Sequence, residues 1–333
     1  MRIIFAGSPA IAVPCLEEIF NIEGIAAAGV LTNPDTPKGR SGKYLPTDIG
    51  AAAEKLQENK KIDFPVLKPE KLDAAAREQV ASLKPDLLVS FAYGRIFGPK
   101  FLELFPFGGI NVHPSLLPKY RGPTPVQAAI LNRDTLTGIT IQLLAKEMDQ
   151  GDIIAQEPVH LTGNETSSSL SETVSKKAAL MLRDALVKIE KANGQIYSNL
   201  WFDTSSKPMV QDHGKASYCG LISRDDGIID WNRSALEIEA GIRAFDPWPL
   251  CRTIHDGRIL FILKAAVYLQ SVPLKDTPGT VLGIDKQCGI LIQTGNGILS
   301  VSGLQYEAKK ALHWRDFING ARDFQAAGKS KLG

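Results

Sequence analysis

The sequence contains few cysteines, and their spacing argues against cysteine-based metal and disulfide sites. Its 333 residues include four, Cys15, Cys219, Cys251 and Cys288, which lie far apart and form no CxxC pair. Zinc sites and disulfide frameworks rest on closely or regularly spaced cysteines. We therefore expect reduced, mostly buried thiols, as in a cytoplasmic protein.

A long hydrophobic run is also missing. The longest uncharged stretch near the N-terminus, residues 3–16, is interrupted by Gly7, Ser8, Pro9 and Pro14. It is shorter than the roughly 18 apolar residues of a membrane span. Neither the basic segment nor the small-residue cleavage site of a signal peptide accompanies it. The expected location is the cytoplasm, with no membrane partner.

The chain has no large excess of one charge. The net charge is +2, with 22% charged and 44% hydrophobic residues, the mix of an ordinary globular protein. This composition excludes disordered, collagen-like and coiled-coil chains. Residues 205–333 carry 16 basic and 13 acidic side chains. That small positive balance permits a polyanionic partner without identifying one.

The length and the order of the elements predict two domains. Strand-like and helix-like segments alternate over the first half, which is typical of a Rossmann-like α/β domain with a mostly parallel sheet. Residues 32–46 read as a long polar loop, and Thr47 is a suitable cap for the next helix. We expect this domain to cover residues 1–193 and a polar linker to cover residues 194–208.

The remaining segment, residues 209–333, has a different pattern. Short strand-like runs are separated by the hairpin signals Asp256-Gly257 and Gly295-Asn296-Gly297. Several short strands with such turns predict a small, OB-like β-barrel. The expected fold is therefore an α/β domain followed by a β-barrel domain.

A candidate site lies at residues 111–113. Asn111 and His113 are two apart on a predicted strand, so their side chains share one face at its carboxyl end, where open α/β sheets bind ligands. Asp149 lies in a later loop that can bring a carboxylate to the imidazole. Taken alone, Asn111 and His113 also fit a hydrogen-bonded pair in the interior.

An amide, an imidazole and a carboxylate together suit acyl transfer. The amide donates to a developing oxyanion, the imidazole moves a proton near neutral pH, and the carboxylate orients the imidazole. The sequence has no GxSxG motif, so we expect the nucleophile to belong to the substrate. It also has no HExxH motif, which disfavours a metal site around His113.

Longer motifs resemble the 10-formyltetrahydrofolate-dependent formyltransferases. The active-site signature of that family is similar to residues 111–122 (NVHPSLLPKYRG), 137–138 (TG) and 148–152 (MDQGD). Purine-pathway and sugar-nucleotide formyltransferases and formyltetrahydrofolate hydrolases share this signature. Further segments are similar to the members that formylate methionyl-tRNA: residues 4–9 (IFAGSP), 32–35 (TNPD), 39–40 (GR), 92–94 (AYG), 229–231 (IDW) and 242–249 (IRAFDPWP).

The resemblance implies a role for each matching residue. Asn111 stabilises the oxyanion, His113 relays the proton, and Asp149 holds His113. The folate site is lined by Ser115, Leu116, Leu117 and Pro118, and closed by the backbone of Tyr93 and Gly94. The tRNA acceptor stem is contacted by Lys38, Arg40 and Lys43, which without the resemblance also fit an ordinary solvated loop.

The resemblance therefore implies transfer of a formyl group from 10-formyltetrahydrofolate to methionyl-initiator tRNA. The catalytic domain would bind the folate and the C-terminal barrel the tRNA. We expect a monomer that uses no metal. Two alternatives stay open: a sugar-nucleotide formyltransferase with the same folate donor, and a catalytically inactive tRNA-binding module.

Overall fold

The computed structural model describes residues 1–38, 42–195, 208–270, 276–325, 328 and 330–333. The chain divides into two compact units. The first consists of Met1–Pro125, Leu136–His160 and Ser171–Gly220; the second consists of Val126–Thr135, Leu161–Leu170 and Leu221–Gly333. Most of the expected linker lies outside the described residues, so the domain boundaries stay a prediction.

A mostly parallel sheet forms the centre of the first unit. The strands of this unit are β1 (Arg2–Gly7), β2 (Ala26–Leu31), β3 (Thr36–Lys38), β4 (Lys43–Leu45), β5 (Val66–Leu67), β6 (Leu87–Phe91), β7 (Gly109–His113), β8 (Leu136–Leu143) and β9 (Ile153–His160). Seven of them pair in the order β5-β2-β1-β6-β7-β8-β9. The pairs from β5 to β7 are parallel, and those from β7 to β9 are antiparallel. The expected Rossmann-like α/β architecture is confirmed.

The interior of this sheet explains its apolar strands. All five residues of β6 are buried, as are Ile3 to Ala6 of β1. Strands buried on both faces read as continuous apolar runs.

Six helices alternate with these strands along the chain. They are α1 (Val13–Ile19), α2 (Asp48–Lys60), α3 (Ala74–Ser82), α4 (Pro99–Leu102), α5 (Pro125–Leu131) and α6 (Ser167–Lys191). The hydroxyl of Thr47 accepts a hydrogen bond from the backbone N–H of Gly50 at 3.0 Å, which confirms it as the cap of α2. Of the described helices, none is long and apolar enough to cross a membrane.

The polar loop expected at residues 32–46 contains a small hairpin instead. Strands β3 and β4 pair antiparallel, with Lys38 opposite Lys43. Each has three residues and β4 is exposed, so neither carries the alternation of apolar and polar residues that predicts a strand.

The second unit contains an antiparallel sheet. Its elements are α7 (Ala235–Ala244), β10 (Cys251–His255), β11 (Arg258–Val267), β12 (Val281–Asp285), β13 (Gly289–Gln293), β14 (Ile298–Tyr306), β15 (Leu312–His313) and α8 (Trp314–Gly320). The strand order is β10-β11-β14-β13-β12, with β15 paired to β14. Both expected hairpins are present, as β10–β11 and β13–β14.

The C-terminal residues connect the two ends of this sheet. The N–H of Leu332 donates to the carbonyl of Gly279, just before β12, and the N–H of Gly333 donates to the carbonyl of Ile254 in β10. Edge strands β10 and β12 are thereby linked through the same short segment, an arrangement that fits the expected small barrel.

Helix α7 begins with a capping box. The hydroxyl of Ser234 accepts from the N–H of Glu237 at 3.3 Å, and the carboxylate of Glu237 accepts from the N–H of Ser234 at 3.0 Å. We expect Ser234→Ala to lower the free energy of unfolding of the second unit by about 1 kcal/mol. Urea denaturation measures this change, and Ser234→Thr is the control that keeps a capping hydroxyl. Equal stability of all three proteins contradicts the prediction.

Candidate functional site

Strand β7 carries Asn111 and His113 to the carboxyl end of the parallel part of the sheet. Asn111 lies beside Ser90 of β6 and opposite Gln142 of β8. Residues in register on neighbouring strands face the same side of a sheet. The carboxamides of Asn111 and Gln142 therefore occupy one face, as do the side chains of Asn111 and His113.

The imidazole of His113 is 4% exposed and has two defined neighbours. Its Nε2 lies 2.8 Å from the carbonyl oxygen of Tyr120, and its Nδ1 lies 3.7 Å from Oδ1 of Asp149. Because a carbonyl only accepts, we assign the proton of the neutral ring to Nε2. The lone pair of Nδ1 is then on the side of the carboxylate.

Burial lowers the pKa of His113, and the Asp149 carboxylate and the hydrogen bond to Tyr120 partly offset this effect. The imidazole is consequently neutral near pH 7 and able to accept a proton. Asp149 favours the imidazolium that forms. This combination is typical of a group that moves protons during catalysis.

Asp149 is held in place by hydrogen bonds from two directions. Its Oδ2 accepts from the backbone N–H of Gly122 at 2.8 Å, and its Oδ1 accepts from Nε2 of Gln142 at 3.0 Å. The backbone of Asp149 has a φ of 55°, in the left-handed region. An aspartate tolerates this conformation better than most residues, although it still needs support from its surroundings.

Asn111 is partly exposed. Within the described part of the chain, its carboxamide makes no hydrogen bond to another side chain. A carboxamide N–H on this face is available to an oxygen atom that acquires negative charge. The structure thus brings Asn111, His113 and Asp149 together at one edge of the sheet, and their catalytic roles stay a prediction.

The segment after β7 is held tightly against β8 and β9. The hydroxyl of Thr140 donates to the carbonyl of Ser115 at 2.7 Å and accepts from the N–H of Leu117 at 3.1 Å. The amide of Gln156 donates to the carbonyl of Leu117 at 2.9 Å. Ser115 and Leu117 are buried, whereas Leu116 and Pro118 are partly exposed. Leu116, Pro118 and the local backbone can therefore reach a ligand.

Tyr93 and Gly94 follow β6 at the same edge. The ring of Tyr93 is 1% exposed and stacks on Phe97, with 5.4 Å between the ring centroids. Its carbonyl accepts from the side chain of Asn33 at 3.0 Å. Gly94 is exposed and has a φ of 80°. The Tyr93 side chain belongs to the core. Only the backbone of Tyr93 and Gly94 could therefore contact a ligand at this edge.

The three basic residues fall partly outside the described residues. Lys43 is exposed in β4, opposite Lys38 at the end of β3. Arg40 is among the residues that the structure does not describe. The grouping of these cations therefore stays a prediction.

Two residues that contact the Asp149 loop, Gln142 and Gln211, were missed by the sequence analysis, as was Arg121, which contacts Gln211. Gln142, Arg121 and Gln211 form hydrogen bonds with Asp149 or with one another. The strand period places Gln142 on the same face as Thr140, so its position on that face of β8 could have been predicted from the sequence. Gln211 lies 62 positions from Asp149, in a polar segment without periodicity, and nothing in the sequence connects the two.

The fold and the arrangement of these three side chains suit an enzyme that transfers an acyl group. The family model described as "Formyl transferase" matches residues 1–186, and the model described as "Formyl transferase, C-terminal domain" matches residues 221–322. The chain belongs to the formyl transferase family.

Within this family, the chain is similar to curated relatives over its whole length. It is 47% identical to a methionyl-tRNA formyltransferase of Treponema denticola, over 98% of this chain and 99% of the relative. It is 39% identical to a methionyl-tRNA formyltransferase of Borrelia hermsii, over 97% of this chain and 98% of the relative.

Solved structures are similar in fold. An N-formyltransferase from Helicobacter canadensis, in complex with folinic acid and dTDP-3-aminofucose, is 20% identical with a TM-score of 0.61 over 90% of this chain and 97% of that chain. HypX from Aquifex aeolicus in complex with tetrahydrofolic acid is 16% identical with a TM-score of 0.57, over 96% of this chain and 47% of that chain.

Proposed function

We propose that the protein transfers the formyl group of 10-formyltetrahydrofolate to the α-amino group of methionyl-initiator tRNA. The product is N-formylmethionyl-tRNA, which serves translation initiation. The observation that carries this proposal is the 47% identity to a methionyl-tRNA formyltransferase across both units. The sugar-modifying N-formyltransferase is only 20% identical, which supports the fold and not that acceptor.

The reaction begins with attack of the neutral α-amine on the formyl carbon. An α-amino group has an ordinary pKa of about 7.7 to 8.0, so a neutral fraction exists near pH 7. The new C–N bond converts the formyl carbonyl into an oxyanion. In our proposal the carboxamide N–H of Asn111 donates to this oxygen.

Proton transfer then completes the exchange. Neutral His113 accepts the proton that the attacking nitrogen loses, and Asp149 stabilises the imidazolium at a distance of 3.7 Å between Nδ1 and Oδ1. The imidazolium gives its proton to N10 of the folate as the C–N10 bond breaks. The oxyanion collapses to the formamide, and His113 returns to the neutral state.

The folate would bind along the segments that end at this edge of the sheet. We propose contacts from residues 115–118 and from the backbone of Tyr93 and Gly94. Because Ser115 and Leu117 are buried, their part is to shape the segment, while Leu116 and Pro118 face the ligand. Residues 115–118 are held by the hydrogen bonds of Thr140 and Gln156, and the carbonyl of Tyr93 by the side chain of Asn33.

The tRNA would be contacted by the basic residues Lys38, Arg40 and Lys43 and by the C-terminal domain. Phosphate contacts depend on salt, because binding releases counterions. We further propose a cytoplasmic monomer that uses no metal. The proposed domains are residues 1–193 and 209–333, joined by residues 194–208.

Arg40→Ala tests the tRNA contact. We expect a higher KM for methionyl-initiator tRNA, a weaker dependence of tRNA binding on salt, and an unchanged KM for the folate. Steady-state kinetics at several salt concentrations measure all three. The control is Lys176→Ala, which removes a lysine that is 70% exposed and paired with Glu172 on α6. An Arg40 variant with wild-type tRNA kinetics removes this residue from the proposal.

Formyl transfer to a panel of acceptors tests the function itself. Labelled 10-formyltetrahydrofolate is offered with methionyl-initiator tRNA, methionyl-elongator tRNA and an amino-sugar nucleotide. Transfer to the initiator tRNA alone supports the proposal. Transfer to the sugar supports a sugar-nucleotide formyltransferase. No transfer to any acceptor contradicts an acyltransferase role and favours a tRNA-binding module, unless free formate identifies a hydrolase.

A further inference from the structure

We propose that Gln211 is a positioning residue that fixes the loop of Asp149 against His113, and that Arg121 fixes Gln211. This inference rests on the proposed function and adds two residues to the same site. Gln211 and Arg121 are 3% and 1% exposed. Buried polar groups of this size need full hydrogen bonding, and their partners show what they stabilise.

The carboxamide nitrogen of Gln211 faces the Asp149 loop. It lies 2.9 Å from the carbonyl oxygen of Asp149, 2.7 Å from that of Gly151 and 3.2 Å from Oε1 of Gln142. Two of these acceptors are the backbone carbonyl of Asp149 itself and that of Gly151, two residues further on. The third acceptor belongs to Gln142, which itself donates to the Asp149 carboxylate. One amide therefore contacts both the backbone of the Asp149 loop and a side chain that supports its carboxylate.

Arg121 determines which way this amide points. Its Nε and Nη2 donate to Oε1 of Gln211 at 3.1 and 2.7 Å. A guanidinium has donors only, so it requires the oxygen of the carboxamide on its own side. The NH2 group must then face the carbonyls of the loop. Tyr218 completes the arrangement, since its hydroxyl accepts from Nη1 of Arg121 at 3.1 Å.

The loop needs such an external support. Asp149 has a φ of 55°, and a Cβ atom at Gly151 would lie 1.8 Å from the carbonyl oxygen of Leu143. A tight turn with a left-handed non-glycine residue costs free energy that neighbouring contacts must offset. Gln211 binds the carbonyl of Asp149 within this turn and the carbonyl of Gly151 after it. Without it, we expect the carboxylate to sample positions farther from Nδ1 of His113.

Arg121 also lies between two residues whose backbones contact His113 and Asp149. The carbonyl of Tyr120 accepts from His113, and the N–H of Gly122 donates to Asp149. The position of Arg121 is thus linked through its own backbone to the imidazole and to the carboxylate. Gln211 connects the same arginine to the opposite side of the loop.

The segment that carries Gln211 does not depend on this side chain for its attachment. The N–H and carbonyl of Met209 pair with the carbonyl and N–H of Ile153 at 2.9 and 2.8 Å. The N–H of Arg121 donates to Ser217, and the N–H of Cys219 donates to Arg121. These backbone bonds remain when Gln211 is replaced. The variants should therefore fold. A loss of activity would then report on the position of the Asp149 loop and not on detachment of the segment that carries Gln211.

The experiment compares Gln211→Ala and Gln211→Glu with the wild-type protein. Gln211→Glu keeps an oxygen for Arg121 and replaces the donor with an acceptor that the loop carbonyls repel. We expect kcat to fall by about 10²-fold in both variants, as a misplacement of about 1 Å causes in other enzymes, with nearly unchanged KM values. The matched control is Gln293→Ala, which removes a 5% exposed glutamine that holds a loop of the second unit.

A titration of His113 by NMR gives a second readout, which does not require activity. Loss of a close Asp149 carboxylate removes a contribution that raises the pKa of His113. The pKa of His113 should therefore be lower in Gln211→Ala than in the wild type and unchanged in Gln293→Ala. The acid limb of the kcat profile should move to lower pH in the same variant.

Two results overturn the inference. One is a pair of Gln211 variants with wild-type kcat. The other is an unshifted pKa of His113 in Gln211→Ala. A lower Tm in both Gln211→Ala and Gln293→Ala, together with these two results, indicates a merely structural role for Gln211. Failure of the wild-type protein to transfer formyl groups contradicts the proposed function instead, and the NMR titration still tests how Gln211 positions Asp149.

Discussion

Replacing Asn111 by alanine is expected to lower kcat for formyl transfer by about 10²- to 10³-fold, the loss measured for single oxyanion donors in other enzymes. The KM for 10-formyltetrahydrofolate should change little. The reason is that the formyl oxygen acquires its full negative charge only after the amine attacks. A donor at this position therefore stabilises the transition state more than the bound substrate.

The structure supports this expectation through the surroundings of Asn111. Its carboxamide is partly exposed and lies on the same face as the imidazole of His113. A matched control is Asn132→Ala, which removes an amide that donates to the carbonyl of Ala128 in the second unit. Single-turnover kinetics separate the chemical step from binding. Near-normal turnover of Asn111→Ala would exclude it as the oxyanion donor.

The sequence predicted the parts of the site that depend on local periodicity. Asn111 and His113 stand two apart on a strand, and the strand period alone places them on one face. The hairpins of the second unit follow from Asp256-Gly257 and Gly295-Asn296-Gly297, because those turn residues favour a hairpin wherever they stand between strands. The mostly parallel sheet follows from the alternation of strands and helices.

The parts that depend on distant contacts could not be predicted. The approach of Asp149 to His113 was expected, but the left-handed turn at Asp149 and its contact with Gln211 were not. Tyr93 shows the same limit. The resemblance assigned only the backbone of Tyr93 and Gly94 to the folate site, and the packing of the Tyr93 ring on Phe97 in the core was not predicted. Neither contact leaves a signal in the local pattern of residues.

Asp149→Asn is the second variant with a large expected effect. Asparagine has the same shape as aspartate and tolerates a φ of 55°, but its NH2 group cannot accept one of the two hydrogen bonds that Gly122 and Gln142 donate to the carboxylate. The change removes the negative charge 3.7 Å from Nδ1 of His113. We expect kcat to fall by about 10³-fold, because a comparable change in a Ser-His-Asp enzyme costs about 10⁴-fold with its geometry intact.

The pH dependence of kcat should also change in Asp149→Asn, in a direction that follows from the pKa of His113. Burial lowers the pKa of His113, and Asp149 opposes that shift. Without the carboxylate, the pKa of His113 falls further, so the imidazole stays neutral to lower pH and becomes a weaker base. The part of the acid limb that reflects His113, below the ionisation of the α-amine, should therefore move to lower pH while the maximum rate decreases.

Asp184→Asn is the matched control, because it removes a carboxylate that is 66% exposed on α6. We expect it to keep the wild-type profile. A general effect of lost negative charge would change both variants alike, whereas a specific role of Asp149 changes one. If Asp149→Asn retains both the rate and the acid limb of the wild type, the carboxylate does not act on His113, and the imidazole must be oriented by its hydrogen bond to Tyr120 alone.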